Sequence, residues 1–325
     1  MRIIVRQATR EDLTAVLAVE SEATPNLRYL PMVSDQFFYD EEGDFSVAEA
    51  DGEVVGCAKF TVMPDGSAWL EALRVMPKVQ GNGIGKAFYA RFFEVARKKG
   101  IKTMRMYTGV RNKVSKGLAE RNGFSLAGTY RGMSRAVGAA LWSGDGSRGS
   151  SVDAASADGA AGAVSIADTS KESSGVAAAT DREASFRTVI DPERATRLLM
   201  PLEDRWGGFV VMNRTFYRLT PALCETWTKE GKIFEEPLSG SVVALGARFM
   251  PEQALHLAAF SGDERLCLEF AAKQAELRGV SRVQCMFPPS ACDIQSTLVA
   301  HSFEQDASDY LVMEVSVTVA GRCGS

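Results

Sequence analysis

Between positions 138 and 185 the chain is built almost wholly from Ala, Gly, Ser and Asp, with few large apolar side chains. A segment of that composition cannot bury enough surface to offset the entropy lost on ordering it. It reads as a flexible, disordered linker, because a structureless loop of that length inside one compact domain would be exceptional. The chain is therefore divided into 1–137 and 186–325, each of ordinary domain size. Hydrophobic residues make up 46% of the chain and charged residues 24%. That is enough apolar material for a separate core on each side of the linker.

The net charge of −4 and the isoelectric point near 5.5 argue against a nucleic-acid-binding surface, which is usually basic. No run of about 18 apolar residues occurs, so no membrane-spanning helix and no membrane partner are expected. The N-terminus lacks the apolar stretch and small-residue cleavage site of a signal peptide. The six cysteines are scattered, with no Cys-x-x-Cys pair. They suggest reduced thiols in a cytoplasmic protein rather than a disulfide framework. The only histidines are His256 and His301. A His-based triad or a His-containing zinc site is thus excluded from the first part of the chain, and no metal is expected. Both histidines read as structural or surface residues.

In 1–137 the periodicity alternates between two and 3.6. Strands are expected at 3–9, 45–49, 54–62, 68–75, 103–107 and 124–131. Helices are expected from Arg10, over 26–39, over 86–99 and over 113–122. Asp65-Gly66 marks a hairpin turn. Ile84, Phe88, Phe92 and Ala96 recur every fourth position and give the third helix one buried stripe. Arg97, Lys98 and Lys99 suit its C-terminal end electrostatically, and Gly100 ends it. This is an α/β pattern around a mixed sheet, of the α+β kind. A similar order returns after the linker. Gly100 and Gly279 are 179 positions apart, and so are Phe124 and Phe303. Between them the two lines run without a gap. The second part therefore reads as a diverged internal duplication of the first.

The segment carrying chemistry runs from a strand into a glycine loop and then a helix: Leu73-Arg-Val-Met-Pro-Lys-Val-Gln80-Gly81-Asn82-Gly83-Ile84-Gly85-Lys86. Glycines let backbone N–H groups approach an anion closely. A helix N-terminus supplies unpaired donors and a partial positive charge. Together they can cradle a phosphate. A Walker loop is excluded, because the span from Gly81 to Gly85 is one residue short and Ala87 stands where a metal-binding hydroxyl is needed. A dinucleotide fingerprint would follow the first strand of its unit, whereas this loop follows a late one.

The loop resembles the Gln/Arg-x-x-Gly-x-Gly/Ala signature of the GCN5-related N-acetyltransferase family. A second block, Asn112-Lys-Val-Ser-Lys-Gly-Leu-Ala-Glu-Arg-Asn-Gly-Phe124, resembles that family's downstream motif. The resemblance covers 1–137 and implies two tandem acyl-CoA N-acyltransferase-like domains, the second one degenerate. It implies acetyl-CoA as co-substrate and a primary amine, small or on a protein, as acceptor. In the roles it implies, Gln80, Gly81, Asn82, Gly83, Ile84, Gly85 and Lys86 hold the pyrophosphate through their loop. Leu73 and Val75 offer backbone groups to the pantetheine arm and acyl carbonyl. Asn112 contacts the pantetheine, or caps the following helix; both can hold.

Amide formation needs a neutral amine, and a lysine-like amine of pKa about 10.4 arrives protonated. Glu71, a carboxylate on an otherwise apolar strand, is the expected base; the alternative is a surface or salt-bridged glutamate. The tyrosine acid that the family often places after the second block's leucine is here Ala119. Tyr107, and after it Tyr130, are the remaining tyrosine candidates, although each also reads as a core or surface residue. In the second part the 179 offset sets Ala259, Phe260 and Glu264 at Gln80, Gly81 and Gly85, and Ala291 at Asn112. No CoA binding is expected there; a structural, dimerising or substrate-shaping role is. A homodimer stays open. The rival reading of the whole chain is a non-catalytic CoA-binding or sensory module.

Overall fold

The computed structural model describes residues 1–25, 27–137 and 186–318. The linker expected at 138–185 lies outside the described residues. The first part runs β1 (Ile3–Gln7), α1 (Leu13–Ala23), α2 (Leu30–Phe38), β2 (Asp44–Ala50), β3 (Glu53–Val62), β4 (Ala68–Val75), α3 (Ile84–Lys99), β5 (Thr103–Gly109), α4 (Lys113–Arg121) and β6 (Ser125–Ala136). The second runs β7 (Arg187–Thr188), α5 (Pro192–Leu199), β8 (Phe209–Met212), β9 (Thr215–Arg218), α6 (Pro221–Lys229), β10 (Ile233–Glu236), β11 (Ser241–Gly246), β12 (Leu255–Ser261), α7 (Glu264–Leu277), β13 (Arg282–Phe287), α8 (Cys292–Ala300), β14 (Glu304–Gln305) and β15 (Tyr310–Ser316).

The local rules read from the sequence operate here. The stripe of α3 is buried, with Ile84, Phe88, Phe92 and Ala96 at 1% exposure or less. Gly100 ends that helix with φ of 71°. Met63 and Ser67 close the β3–β4 turn, with the Met63 N–H donating to the Ser67 carbonyl at 2.8 Å. Several boundaries shift by two to four residues, among them the second helix, which starts at Leu30 rather than 26; the largest shift is in the last strand of the first part, which continues to Ala136 rather than stopping near 131. The reason is tertiary. Its second half is held by a strand from the other side of the linker.

All strands but β8 and β9 form one 13-stranded mixed sheet, in the order β1-β2-β3-β4-β5-β15-β6-β13-β12-β11-β10-β7, with β14 beside β6. The centre of this order is an exchange. β15, the last strand of the second part, pairs only with β5 and β6 of the first. Residues Arg131 to Ala136 of β6 pair with β13, from Phe287 to Arg282. Each part thus completes its sheet with a strand from the other. Side chains seal the crossing. Arg105 bonds Glu314 and Asp65, each at 2.6 Å. The Tyr130 hydroxyl donates to the carbonyls of Trp206 at 2.8 Å and Gly207 at 3.0 Å.

Two apolar cores lie on this sheet, and each borrows from the other part. Met63 and Trp69 belong to the core of the second part. Phe249, Leu311, Met313 and Val317 belong to the core of the first. His256 on β12 is inside the second core at 4% exposure, and its Nε2 has no hydrogen-bond partner among the described residues. Burial, and then the charge of Arg214, push its pKa down to about 4.

Two outcomes follow. A separately produced 1–137 should fail to give native-like dispersion or a cooperative melt, because β5 and β6 lose their shared neighbour. Adding 186–318 should restore both; a fully stable 1–137 alone would refute the exchange as a folding requirement. The second concerns pH. The unfolded chain binds a proton on His256 near pH 6.5 and the folded chain only near 4, so folding stability falls as pH drops through that window. The loss should reach about 3 kcal/mol once the pH is below both values. In His256→Gln, denaturant titrations should show that part of the slope gone.

Candidate active site

The gap that could admit a substrate begins with a bulge. On β3, Cys57 pairs with Arg74 and Lys59 with Glu71, so the single Ala58 faces both Ala72 and Leu73. The extra residue is accommodated by Ala72 at φ of 53°, a left-handed conformation that costs a non-glycine residue about 1 kcal/mol. The bulge turns β4 away from β5. The two are parallel and paired only at Ala68↔Met104 and Trp69↔Arg105. Beyond that point β4 continues to Val75 and β5 to Gly109 without a ladder between them. Leu73 and Val75 lie on the parted stretch of β4, so their backbone groups border the opening.

The loop from β4 to α3 lies at the end of that opening. The Gln80 side chain donates to the Val75 carbonyl at 2.9 Å, and the Asn82 side chain to the Val79 carbonyl at 3.1 Å. These bonds fold the loop onto the strand end. Gly81 and Gly83 have φ of 83° and 89°, and a Cβ at either would project into open space. α3 starts directly after Gly83 with no side-chain cap and no acidic residue in its first turn. Ile84 anchors the helix in the core, while Lys86 is exposed. A Cβ on Gly85 would come within 2.8 Å of Leu118 Cδ2, so glycine there lets α4 lie close to α3. The uncapped end, bare N–H groups and left-handed bends are the arrangement that attracts an anion. Asn112 caps α4, its Oδ1 accepting the Ser115 N–H at 3.0 Å. The first-turn amides of α4 therefore have a protein partner that those of α3 lack.

The face of β4 opposite α3 carries Glu71, and here the second part of the chain enters. Arg248, on the β11–β12 connection, forms a two-pronged pair with Glu71, Nη1 to Oε2 at 2.7 Å and Nη2 to Oε1 at 2.6 Å. Thr61 also donates to Oε1 at 2.6 Å. Burial pushes the Arg248 guanidinium down, but the Glu71 charge and hydrogen bonds outweigh it and leave Arg248 above its ordinary range. Next to this pair, Tyr29 stacks on Phe249 at 5.9 Å between ring centres. Burial, then the Glu71 charge, push the Tyr29 phenol up. Lys59, opposite Glu71 on β3, is 1% exposed and paired with Asp40; burial pushes its ammonium down.

Tyr107 is on β5, half-buried in an aromatic cluster with Trp69 (6.1 Å, near-parallel), Phe216 and Tyr310. Tyr130 is spent on the carbonyls of Trp206 and Gly207. Ala119 is fully buried. The structure thus brings Glu71, Leu73 and Val75 to the β4 side of one opening, with the loop 80–86 at its end. Tyr107 stands across it on β5. Arg248, Phe249 and Tyr29 were not singled out in the sequence. A single arginine 177 residues from its carboxylate leaves no local signal.

In the second part the corresponding connection, 262–263, is only two residues long. Ala259 and Phe260 consequently lie inside β12 rather than in a loop. The ungapped offset misses this because the two loops differ in length. α7 is capped by its own Asp263, whose carboxylate accepts the Leu266 N–H at 3.1 Å. Glu264 opens the helix and is held by Arg205 and Thr297.

Replacing Arg248 by Met strands a buried carboxylate, which should cost about 3 kcal/mol in denaturant titrations. Adding Glu71→Gln to that variant should recover most of the loss. Two single-variant losses that simply add would show the pair to be uncoupled.

A family model described as the acetyltransferase (GNAT) family matches residues 8–124. Among solved structures, the chain is similar to a tandem GNAT protein from the clavulanic acid biosynthesis pathway. The two are 14% identical, the match covers 98% of this chain and 99% of that one, and the TM-score is 0.59. It is also similar to a GCN5-related N-acetyltransferase from Sphaerobacter thermophilus, at 14% identity over 97% and 96% of the two chains, with a TM-score of 0.59. At that identity the structures speak for the fold. Residues 8–124 are therefore a domain of the acetyltransferase (GNAT) family, within a chain that has the mixed α/β fold of a tandem GNAT protein.

Proposed function

We propose that this protein transfers an acetyl group from acetyl-CoA to a primary amine by direct attack, in the site on 1–137. The observation that carries the reading is the uncapped start of α3 behind two left-handed glycines, at the end of the β4–β5 opening. In this reading the N–H groups of Gly81, Asn82, Gly83, Ile84, Gly85 and Lys86 hold the diphosphate. Gln80 and Asn82 shape the loop through their side chains. The backbone of Leu73 and Val75 borders the pantetheine arm and the acyl carbonyl, and an N–H there steadies the developing oxyanion. Asn112 keeps α4 at the thiol end.

Glu71 takes the proton from the incoming ammonium through a water. Three hydrogen bonds occupy three of about four acceptor directions on its carboxylate and leave one. Tyr107 is the proposed donor to the departing thiolate, a group of pKa about 8.5 that needs little help to leave. The cysteines among the described residues are unpaired, which suits a reducing cytoplasm. The second part lacks a loop to wrap an anion, and Asp263 and Glu264 put negative charge at its helix start. Hence we assign one CoA site per chain. A non-catalytic CoA-binding module is the second reading. The two-pronged grip of Arg248 on Glu71 and the buried Ala119 favour it.

The test is calorimetric titration of the full chain with acetyl-CoA, followed by thiol release with an amine panel. One site per chain is expected. Gly83→Val should weaken binding at least about tenfold in a folded protein, since the substitution strains the backbone and covers the amides. Unchanged affinity would defeat the assignment. Thiol release that drops in Glu71→Gln supports transfer. Tight binding with no release on any amine would establish the second reading.

A further inference from the structure

This inference rests on the proposed acetyl-transfer site and concerns what its acceptor must carry. On the face of β4 that meets α1, α2 and the 248–249 loop, almost every charge is already matched. Asp40 pairs with Lys59 and Glu71 with Arg248. Glu20, fully buried, accepts the N–H groups of Tyr29 at 3.2 Å and Leu30 at 3.1 Å. Arg74 is the exception. No ion pair within 4.0 Å is formed by it among the described residues. Its Nε donates to Thr24 Oγ1 at 3.0 Å and its Nη1 to the Leu73 carbonyl at 3.1 Å. An arginine has five N–H donors, so the outer edge of the fork is left over.

That fork is also held still. Its guanidinium sits 5.9 Å from the centre of the Tyr29 ring, and the ring is backed by Phe249 in a near-parallel stack. The side chain is half-buried, so the charge is only partly hydrated. Its Cα follows Leu73 directly, placing it at the reacting end of the opening rather than at the diphosphate loop. A fixed, planar and partly desolvated guanidinium with N–H donors free on both Nη1 and Nη2 matches a carboxylate in two-pronged geometry.

We propose that the acceptor is an amine bearing its own carboxylate, an amino acid or similar aminocarboxylate, and that Arg74 is the residue that reads it. With Glu71 taken up by Arg248 and Glu20 turned to the N–H groups of Tyr29 and Leu30, the outer edge of the Arg74 fork is the guanidinium surface left on this face to receive that anion.

The test uses the full chain saturated with CoA and paired probes. N-acetyl α-, β- and γ-amino acids are compared with their carboxamides in equilibrium binding, and the free amino acids with their carboxamides in thiol release. The best carboxylate should bind about ten- to a hundredfold tighter than its amide. Arg74→Gln should remove that difference while CoA affinity stays as in the parent, and Arg74→Lys should keep part of it. Members of each pair binding alike, no binding by any probe, or equal losses for both members in Arg74→Gln would overturn the proposal. The two readings fail separately. Discrimination in binding without turnover defeats acetyl transfer and leaves the Arg74 site standing. Turnover without discrimination does the reverse.

Discussion

Everything in this molecule depends on one hydrogen-bonding constraint, the crossing of β6 and β15. A strand with an unpaired edge leaves a row of backbone groups without partners, and a buried row is costly. β5 and the first half of β6 meet that demand only through β15, which comes from beyond the linker. β13 meets it only through the second half of β6. The two parts therefore share one sheet and cannot choose their mutual orientation freely. The 12-residue length of β6 is the physical signature, since each half serves a different neighbour.

That constraint fixes the surroundings of the candidate site. With the sheet continuous, the β11–β12 connection is delivered to the face of β4, where Arg248 and Phe249 take their places against Glu71 and Tyr29. The duplicated part thus acts as a wall of the first part's cleft. Its own helix start is poorly shaped to hold an anion. Eight residues, 76–83, separate β4 from α3, whereas two separate β12 from α7. A two-residue link leaves no arc to surround a diphosphate, and Asp263 already consumes a first-turn amide of α7. The same fold thereby yields one helix start that is open to an anion and one that is closed.

Much of the first part could be read from its residues, because its signals are local. The four-residue repeat of α3, the Asp65-Gly66 turn and the glycines of the loop act within a few positions of themselves. The family resemblance rested on those local blocks, and the match over residues 8–124 covers the same stretch. What escaped the sequence is nonlocal. The strand β15 is not read from the sequence, and nothing local to its residues says between which neighbours it lies. Glu71 reads as an isolated carboxylate until Arg248 is brought to it from 177 residues away. The offset of 179 fits Gly100 to Gly279 but drifts in the strands before them, since Trp69 and His256 occupy matching ladder positions. Loop shortening changes the register without leaving a composition cue.

The cleft wall is set by strained backbone rather than by a mobile loop. Asn213 and Arg214 join β8 to β9 in a two-residue turn, both left-handed, with φ of 49° and 57°. Neither is glycine, so the conformation persists only because partners hold it. The Asn213 carboxamide accepts the N–H of Arg248 at 2.8 Å and of Phe249 at 3.4 Å. Arg214 lies against the Tyr310 ring at 5.3 Å, on the exchanged strand itself. The chain of causes is then continuous. The exchange seats β15, β15 supports the turn, and the turn grips the loop that bears Arg248. Because each link is a fixed hydrogen bond or ring contact, the charge pattern facing the opening is set when the two parts fold together. In the proposed site, any selectivity at this face would therefore rest on preorganised charges rather than on closure around a ligand.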